Sequence, residues 1–549
     1  MTEPSFDLTA EPWIRVRTTS GALAEMSLRA VFAQAHDLVG LAGEIPTQDV
    51  AILRLLLAIL RRSHPEARGT EAWGRLWRRG SFDTEPIEAY LDRYLDRFDL
   101  LHPETPFFQV ARLTATSREV GEVVRLIADV PNRDGFRHFA TRSADGVTVL
   151  SFAEAARWLV HSQAFDTGGT KSGTNGDPRV IRGKCYSSGA AENGIAWCGN
   201  LGLVVIEGAS LFETLLLNLP LPVVVASADS ATWEVLDREP WEFSAPNGPA
   251  ELLTWQSRQI RLVGGEGQVT GVVLTYGRSL DPVNRFQHEW MTSWRVVPSD
   301  SKSDRRALPV KHDPNKAIWR GLASLLSLTP DQQQTPPARW SEWLARLHAD
   351  GLLQSETALR LRAVGLSYGP SRGPGKNATV GGSTDDLLDL PIEVIEKQWL
   401  TALAVDAVQD VDNAVRALGT LAAELAEAAG ASGDVPQNAR AAARERGYAA
   451  LDLPYRSWLR MLRSDSARDE VRPEWQRTVS GVVVGIGGSL VRGAGPAAWI
   501  GREVPRGSGT VYLDAAVAEI CFHHRLRTTF NSALSSGKQE DSNDHRRNN

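Results

Sequence analysis

"VIEKQWLTALAVDAVQDVDNAVRALGTLAAELAEAA", residues 394–429, carries apolar side chains at helical spacing for many turns before "GASGDVPQ" (430–437) breaks it. A period near 3.6 held that long specifies one long helix. Three further helical stretches follow near 436–464, 472–492 and 511–533, joined by Gly, Pro and Ser connections. Four helices in succession with short links predict a bundle. Residues 536–549 are polar and lack an apolar period, so they are expected to be disordered.

Upstream of this stretch the pattern changes. "FDLTAEPWIRVRTTSGALAEMSL" (6–28) predicts a strand around Trp13–Arg17, a turn at Ser20-Gly21, a return strand to Met26 and a helix capped by Ser27. Thr47 and Asp49 start a second helix, "DVAILRLLLAILRRS" (49–63), which is apolar on nearly every face except at Arg54 and so is expected to be buried on most sides. From there to about residue 385, short strands and helices alternate with no fixed repeat, which favours a mixed domain over a solenoid or a doubly wound sheet. The expected fold class is α+β: a mixed domain over 1–385, then a four-helix bundle over 386–535.

At 549 residues the chain is long enough for two or three domains with substantial cores. A net charge of −6 argues against a general polyanion binder and leaves local patches open. One such patch is the second bundle helix, where Arg440, Arg444, Arg446, Arg456, Arg460 and Arg463 are opposed mainly by Glu445 and Asp452. It reads equally as a solvated face or as a basic contact surface. The three cysteines, Cys185, Cys198 and Cys521, cannot form a four-cysteine zinc site and leave one unpaired in any disulfide scheme, which points to a reducing compartment and to buried small hydrophobes. The N-terminus has no basic segment followed by an apolar one. The most apolar window, 201–228, is broken by Glu207, Glu213, Asn218 and two prolines, so the expectation is a cytoplasmic protein without a membrane span.

Two glycine-rich interruptions, 166–176 and 369–382, have the look of working loops rather than linkers. The first, "DTGGTKSGTNGDPRV" (166–180), invites a phosphate-loop reading. That reading fails because Thr170, not Gly, precedes Lys171, the glycine spacing is wrong, and "WLVHSQAF" (158–165) before it suits a helix better than a strand. A dinucleotide fingerprint is also absent there. His312-Asp313 in "VKHDPNK" invites a metal-dependent phosphohydrolase reading, but His288, His523 and His524 make no recognisable ligand set with it, and a pair followed by Pro is more often a turn that Asp caps. Cys521 beside His523 and His524 lacks the oriented third group that a nucleophile requires.

Three stretches together, "FDLTAEPWIRV" (6–16), "HPETPFFQV" (102–110) and "GGTKSG" (168–173), resemble the CasA family, the large subunit of the type I-E CRISPR surveillance complex Cascade. The resemblance extends in order and spacing along the chain. It implies a non-catalytic protein, without cofactor or metal, that partners the other Cascade subunits, the 5′ handle of the guide RNA, double-stranded target DNA and a helicase-nuclease. It also implies that Gly168, Gly169, Thr170, Lys171, Ser172 and Gly173 approach the minor groove of the protospacer-adjacent motif. Bare backbone fits that narrow groove, and Lys171 would neutralise a phosphate. A plain surface turn is the competing reading. "YGPSRGPGKNATVGG" (368–382) falls where the family carries a strand-splitting wedge, with Asn377 at the tip and Arg372 and Lys376 available for phosphates. Many relatives carry glutamine at the wedge tip. The family's basic finger corresponds to "VTGVVLTYGRSLDP" (269–282), where Arg278 is the candidate, with a salt-bridged hairpin residue as the competing reading. "FRHFATRSADGV" (136–147) resembles the loop that docks on the guide RNA, with Phe139 stacking on a base and Arg137 and Arg142 beside phosphates. The phosphohydrolase using His312-Asp313 is the alternative function.

Overall fold

The computed structural model describes residues 5–128, 130, 142, 146–186, 194–221, 228–235, 245–297, 306–326, 338–355, 357–369, 380–507 and 509–544. Among them the chain forms two units, one of Met1–Gln354 with Leu359–Leu388, the other of Ser355–Ala358 with Asp389–Asn549.

The first unit opens with three antiparallel strands, β1 (Ile14–Thr18), β2 (Leu23–Met26) and β3 (Leu38–Leu41), in the order β2-β1-β3. Gly21, at φ +84°, supplies the left-handed residue of the β1–β2 turn. Ser27 caps the next helix by accepting from the Ala30 amide at 3.3 Å, as its sequence position predicts. Helix α1 (Pro46–Ser63) is buried along almost its whole length. Its start differs from the expected cap: Pro46 occupies the first turn, and Asp49 folds back to accept from the Gly43 amide at 2.6 Å. Arg54, near its middle, is buried as well and forms an ion pair with Glu289 at 2.9 Å.

Helix α2 (Phe152–Phe165) packs on α1, where His161 Nε2 meets Thr47 Oγ1 at 2.9 Å. Three two-residue strands follow: β4 (Lys171–Ser172), β5 (Val180–Ile181) and β6 (Lys184–Cys185), in the order β4-β6-β5. Beyond them come β7 (Leu203–Glu207), then the hairpin β8 (Arg258–Gly265) and β9 (Gln268–Tyr276). Its turn uses Glu266 and Gly267, both left-handed. The long strands β10 (Ala358–Tyr368) and β11 (Val380–Pro391) form a sheet with β7 in the order β11-β10-β7. Trp13, Trp73, Trp158, Trp294 and Trp319 are all fully buried in this unit.

In the second unit residues 394–429 fall in a short helix, Ile392–Glu396, and then the long helix α3 (Gln398–Ala428). Leu400, Val411, Leu418 and Leu421 on its inner stripe are fully buried, each contributing about 1.5–3 kcal/mol. Helices α4 (Val435–Met461), α5 (Arg468–Arg492) and the last helix, α6 (Ala515–Asp544), all pack on α3. Small residues set the approach: a Cβ at Gly419 would come within 2.7 Å of Arg444 Cγ, so the Arg440 and Arg444 stems cross α3 at that point. Of the basic face on α4, Arg456 pairs with Asp452 at 3.0 Å, while Arg446 and Arg460 are exposed.

Two boundaries differ from expectation. Residues 502–513 form a β-hairpin, Arg502–Arg506 against Gly509–Leu513, where part of a helix was expected from 511. Its strand alternation, "REVPR" and "GTVYL" around Gly-Ser-Gly, is too short to stand out beside helical stretches. Helix α6 runs to Asp544, past residue 536 where disorder was expected. Residues 545–549 lie outside the described residues.

Candidate nucleic-acid interface

The glycine loop leaves the C-terminal end of α2, a helix capped at its start by Ser151, which accepts from the Glu154 amide at 3.1 Å. Asp166 is the first residue after the helix, and its amide still bonds to Ser162 O at 3.2 Å. Its carboxylate turns inward and organises the loop. It accepts from Lys171 Nζ at 2.6 Å and also from Arg258 Nε. The Arg258 guanidinium reaches the carbonyls of Asp166 and Thr167 at 3.0 Å and of Gly194 at 2.7 Å, and lies 5.0 Å from the Tyr276 ring centroid. The Tyr276 hydroxyl donates to the Gly169 carbonyl. Burial acts to raise the Asp166 pKa, but the two cations outweigh it and hold the carboxyl below the ordinary range. Burial also pulls the Lys171 ammonium below its ordinary value, despite Asp166.

This geometry changes the part expected of Lys171. Strand alternation sends Lys171 and its register partner Cys185 inward and sends Ser172 and Lys184 outward. Lys171 is 9% exposed, and its charge is spent on Asp166 rather than offered to a phosphate. The remaining loop residues divide similarly. Gly168 and Gly173 are buried, Gly169 and Thr170 half-buried, and Ser172 exposed. Gly169 has φ +118°. Gly173 is needed for packing, since a Cβ there would lie 2.9 Å from both C and O of Gly183. Segment 114–116 lines the other side, with the Thr116 amide donating to Gly173 O at 2.9 Å and the Asn175 amide to Thr114 O at 3.0 Å.

The other expected site residues fall in several places. Arg278 is 4% exposed, paired with buried Glu251 at 2.9 Å, and its guanidinium carbon stands 3.9 Å from the Trp255 ring centroid. A finger entering a groove has to be exposed, so this buried cation does not fit that part; the competing salt-bridged reading does, with the anion 27 residues away. Arg142 reaches Glu44 at 3.1 Å and also pairs with Glu154. Arg137, Phe139, Arg372, Lys376 and Asn377 lie outside the described residues. The structure does not bring the loop together with Arg278 into one exposed basic site.

His312 and Asp313 serve separate local purposes. His312 Nε2 bonds Leu203 O at 2.9 Å, and burial lowers the imidazole pKa. Asp313 caps the following turn, accepting from the Asn315 amide at 3.0 Å and pairing with Lys316 at 3.0 Å. Among the described residues no group of three or more His, Cys, Asp or Glu side chains is arranged to hold a metal ion, so the phosphohydrolase alternative has no site there. Cys185 and Cys198 are buried, and burial pushes the Cys198 thiol up to about 12. Among the described residues no helix is long and apolar enough to cross a membrane.

Exposed cations beside the loop include Arg118, Arg182 and Lys184, none of which was singled out from the sequence. The available signal was "VIRGKCY" (180–186), where an Arg-Gly turn is flanked by alternating residues.

Comparison with known proteins places these features in a family. The family model described as CRISPR-associated protein Cse1 matches residues 7–486. The CRISPR-associated protein CasA/Cse1 of Thermus thermophilus is 30% identical over 331 residues, 58% of this chain, and the match spans 60% of that protein's length. The crystal structure of Thermobifida fusca Cse1 superposes with a TM-score of 0.84 at 38% identity, covering 96% of this chain and 98% of that one. Cse1 from Acidimicrobium ferrooxidans gives 0.81 at 28% identity, covering 98% and 99%. A chain of a CRISPR RNA-guided surveillance complex shares the fold, with a TM-score of 0.63 at 20% identity over 89% of this chain and 99% of that one. With the family model matching most of its length, the chain belongs to the CRISPR-associated Cse1 (CasA) family.

Proposed function

We propose that this chain is the non-catalytic large subunit of a CRISPR Cascade complex, that it reads the protospacer-adjacent motif of duplex DNA through the minor groove, and that it starts strand separation for the guide RNA. Family membership and the likeness of the whole chain to Thermobifida fusca Cse1 support the subunit assignment. The observation that carries the DNA-reading step is the loop itself: a backbone with small side chains, tethered from beneath by Asp166, Arg258 and Tyr276, and exposed at Ser172. A loop fixed this way presents peptide groups to a groove without paying ordering entropy on binding. Minor-groove reading distinguishes A·T from G·C pairs but not their orientation, so several related motifs are accepted.

In this reading the wedge occupies the end of the β10–β11 hairpin, whose strands end at Tyr368 and begin again at Val380, with Asn377 inserting below the motif. Guide pairing then reads the target while this chain licenses the attempt and recruits the helicase-nuclease. Arg137, Phe139 and Arg142 dock the guide RNA 5′ handle in the same scheme.

Expression with and without the other subunits and guide RNA tests the assignment. The chain co-purifies with the assembled complex, and the complex binds motif-containing duplex with steep salt dependence and no turnover. Metal-stimulated cleavage by the isolated chain would overturn it.

A further inference from the structure

The turn between β5 and β6 consists of two residues, Arg182 at φ +51° and Gly183 at φ +76°. Two successive left-handed residues closing a two-residue hairpin form a type I′ turn, whose first position favours Asn, Asp or Gly. Arginine there bears a steric cost that those residues avoid or reduce. The same departure occurs at Arg118, with φ +60°, in a turn closed by its amide on Ala115 O at 2.9 Å. The two turns flank one point of the glycine loop. Gly173 donates its amide to Gly183 O at 2.9 Å and accepts from the Thr116 amide at 2.9 Å, while Thr116 Oγ1 reaches Gly183 O at 3.4 Å.

Both arginines are exposed, as is Lys184, which follows the hairpin turn and faces outward opposite Ser172. None of the three is held by a salt bridge or side-chain hydrogen bond among the described residues. Across 112–125 and 172–186 the exposed charges are Arg112, Arg118, Arg125, Arg182 and Lys184 against Glu119 and Glu122, so the surface around the loop is cationic. Arg112 is loosely engaged with Glu104 at 4.0 Å. The left-handed backbone at Arg118 and Arg182 is less favourable for arginine than for Asn, Asp or Gly, and it carries two exposed cations beside the loop.

We infer that Arg118, Arg182 and Lys184 form a clamp for the phosphodiester backbone of duplex DNA beside the glycine loop. The clamp rests on the proposed reading of the loop as a duplex-contacting element, and it supplies the charge that Lys171, turned onto Asp166, does not. Turns closed by backbone pairing fix where the two arginines leave the chain, which lowers the backbone ordering cost of gripping phosphates.

The test is equilibrium binding of the assembled complex to motif-containing and motif-lacking duplexes across a salt series, with Arg118→Asn, Arg182→Asn and Arg182→Lys. Asn suits the left-handed positions, so the melting temperature stays level or rises while each Asn variant binds about fivefold more weakly. The salt slope becomes shallower by about 0.9 for each phosphate contact removed. Arg182→Lys retains the slope. Unchanged affinity and slope in both Asn variants, with wild type still preferring the motif, overturns the clamp and leaves the loop reading standing. A wild-type complex indifferent to the motif overturns the loop reading and the clamp with it. Loss of guide RNA from the variants with duplex binding intact also overturns the clamp and assigns the surface to RNA.

Discussion

Replacing Asp166 by Asn removes a buried charge while keeping the side chain's shape, and it leaves two cations without their anion. Asp166, Lys171 and Arg258 have side-chain exposures of 12%, 8% and 2%. Breaking a buried pair by deleting one partner costs about 3–5 kcal/mol, because the surviving charge stays desolvated. Arg258 retains four carbonyl acceptors, whereas among the described residues Asp166 is the one carboxylate bonded to Lys171, so the low end, about 3 kcal/mol, is expected. Urea unfolding followed by fluorescence should show the transition of the larger unit moving down by up to about 1 M. Adding Lys171→Met should recover part of the loss, giving a coupling of about 1–3 kcal/mol in the double-mutant cycle. The sign with pH follows from the lowered folded-state pKa of Asp166. Its contribution is present above the unfolded value of about 3.8 and is lost as pH falls through the folded value. An Asp166→Asn transition within about 0.5 kcal/mol of wild type would refute the reasoning that this carboxylate organises the loop.

Three other perturbations read separate parts of the fold. His161 is buried and held neutral, its pKa lowered by burial from 6.5 to about 3, so the unfolded state binds the extra proton and stability falls as pH drops from 6.5 toward 3; His161→Phe should flatten that part of the unfolding profile. Gly173→Ala forces a Cβ against the Gly183 backbone and should destabilise the larger unit by about 1–3 kcal/mol in calorimetry, with the loss concentrated in amide exchange at 171–185. Arg278→Ala removes a buried cation paired with Glu251 and should cost up to about 3–5 kcal/mol in the same unfolding assay, while a groove-entering finger would instead show a loss confined to DNA affinity.

The bundle was legible because α3 repeats one apolar stripe for many turns, a signal that survives any single exception. The buried face of α1 was legible for the same reason, although the partner of Arg54, at residue 289, was not. Long-range pairing is where local pattern gives out. "DTGGTK" shows Asp five residues before Lys, yet nothing local says that Arg258 completes their network or that a two-residue strand turns Lys171 inward. A salt bridge at Arg278 was one of two readings, but its anion, on another element, could not be named. The left-handed arginines were equally invisible, since φ at Arg118 and Arg182 is fixed by turn geometry that residue type argues against.

The most direct measurement is duplex binding by the assembled complex carrying Ser172→Trp. Ser172 is the exposed side chain of the loop and faces away from the Asp166 network, so a bulky ring there blocks a groove without disturbing the tether. At least about a tenfold loss for motif-containing duplex, equal to 1.4 kcal/mol or more, is predicted, with guide RNA content and melting temperature unchanged. Wild-type affinity in that variant would contradict the claim that this loop enters the minor groove.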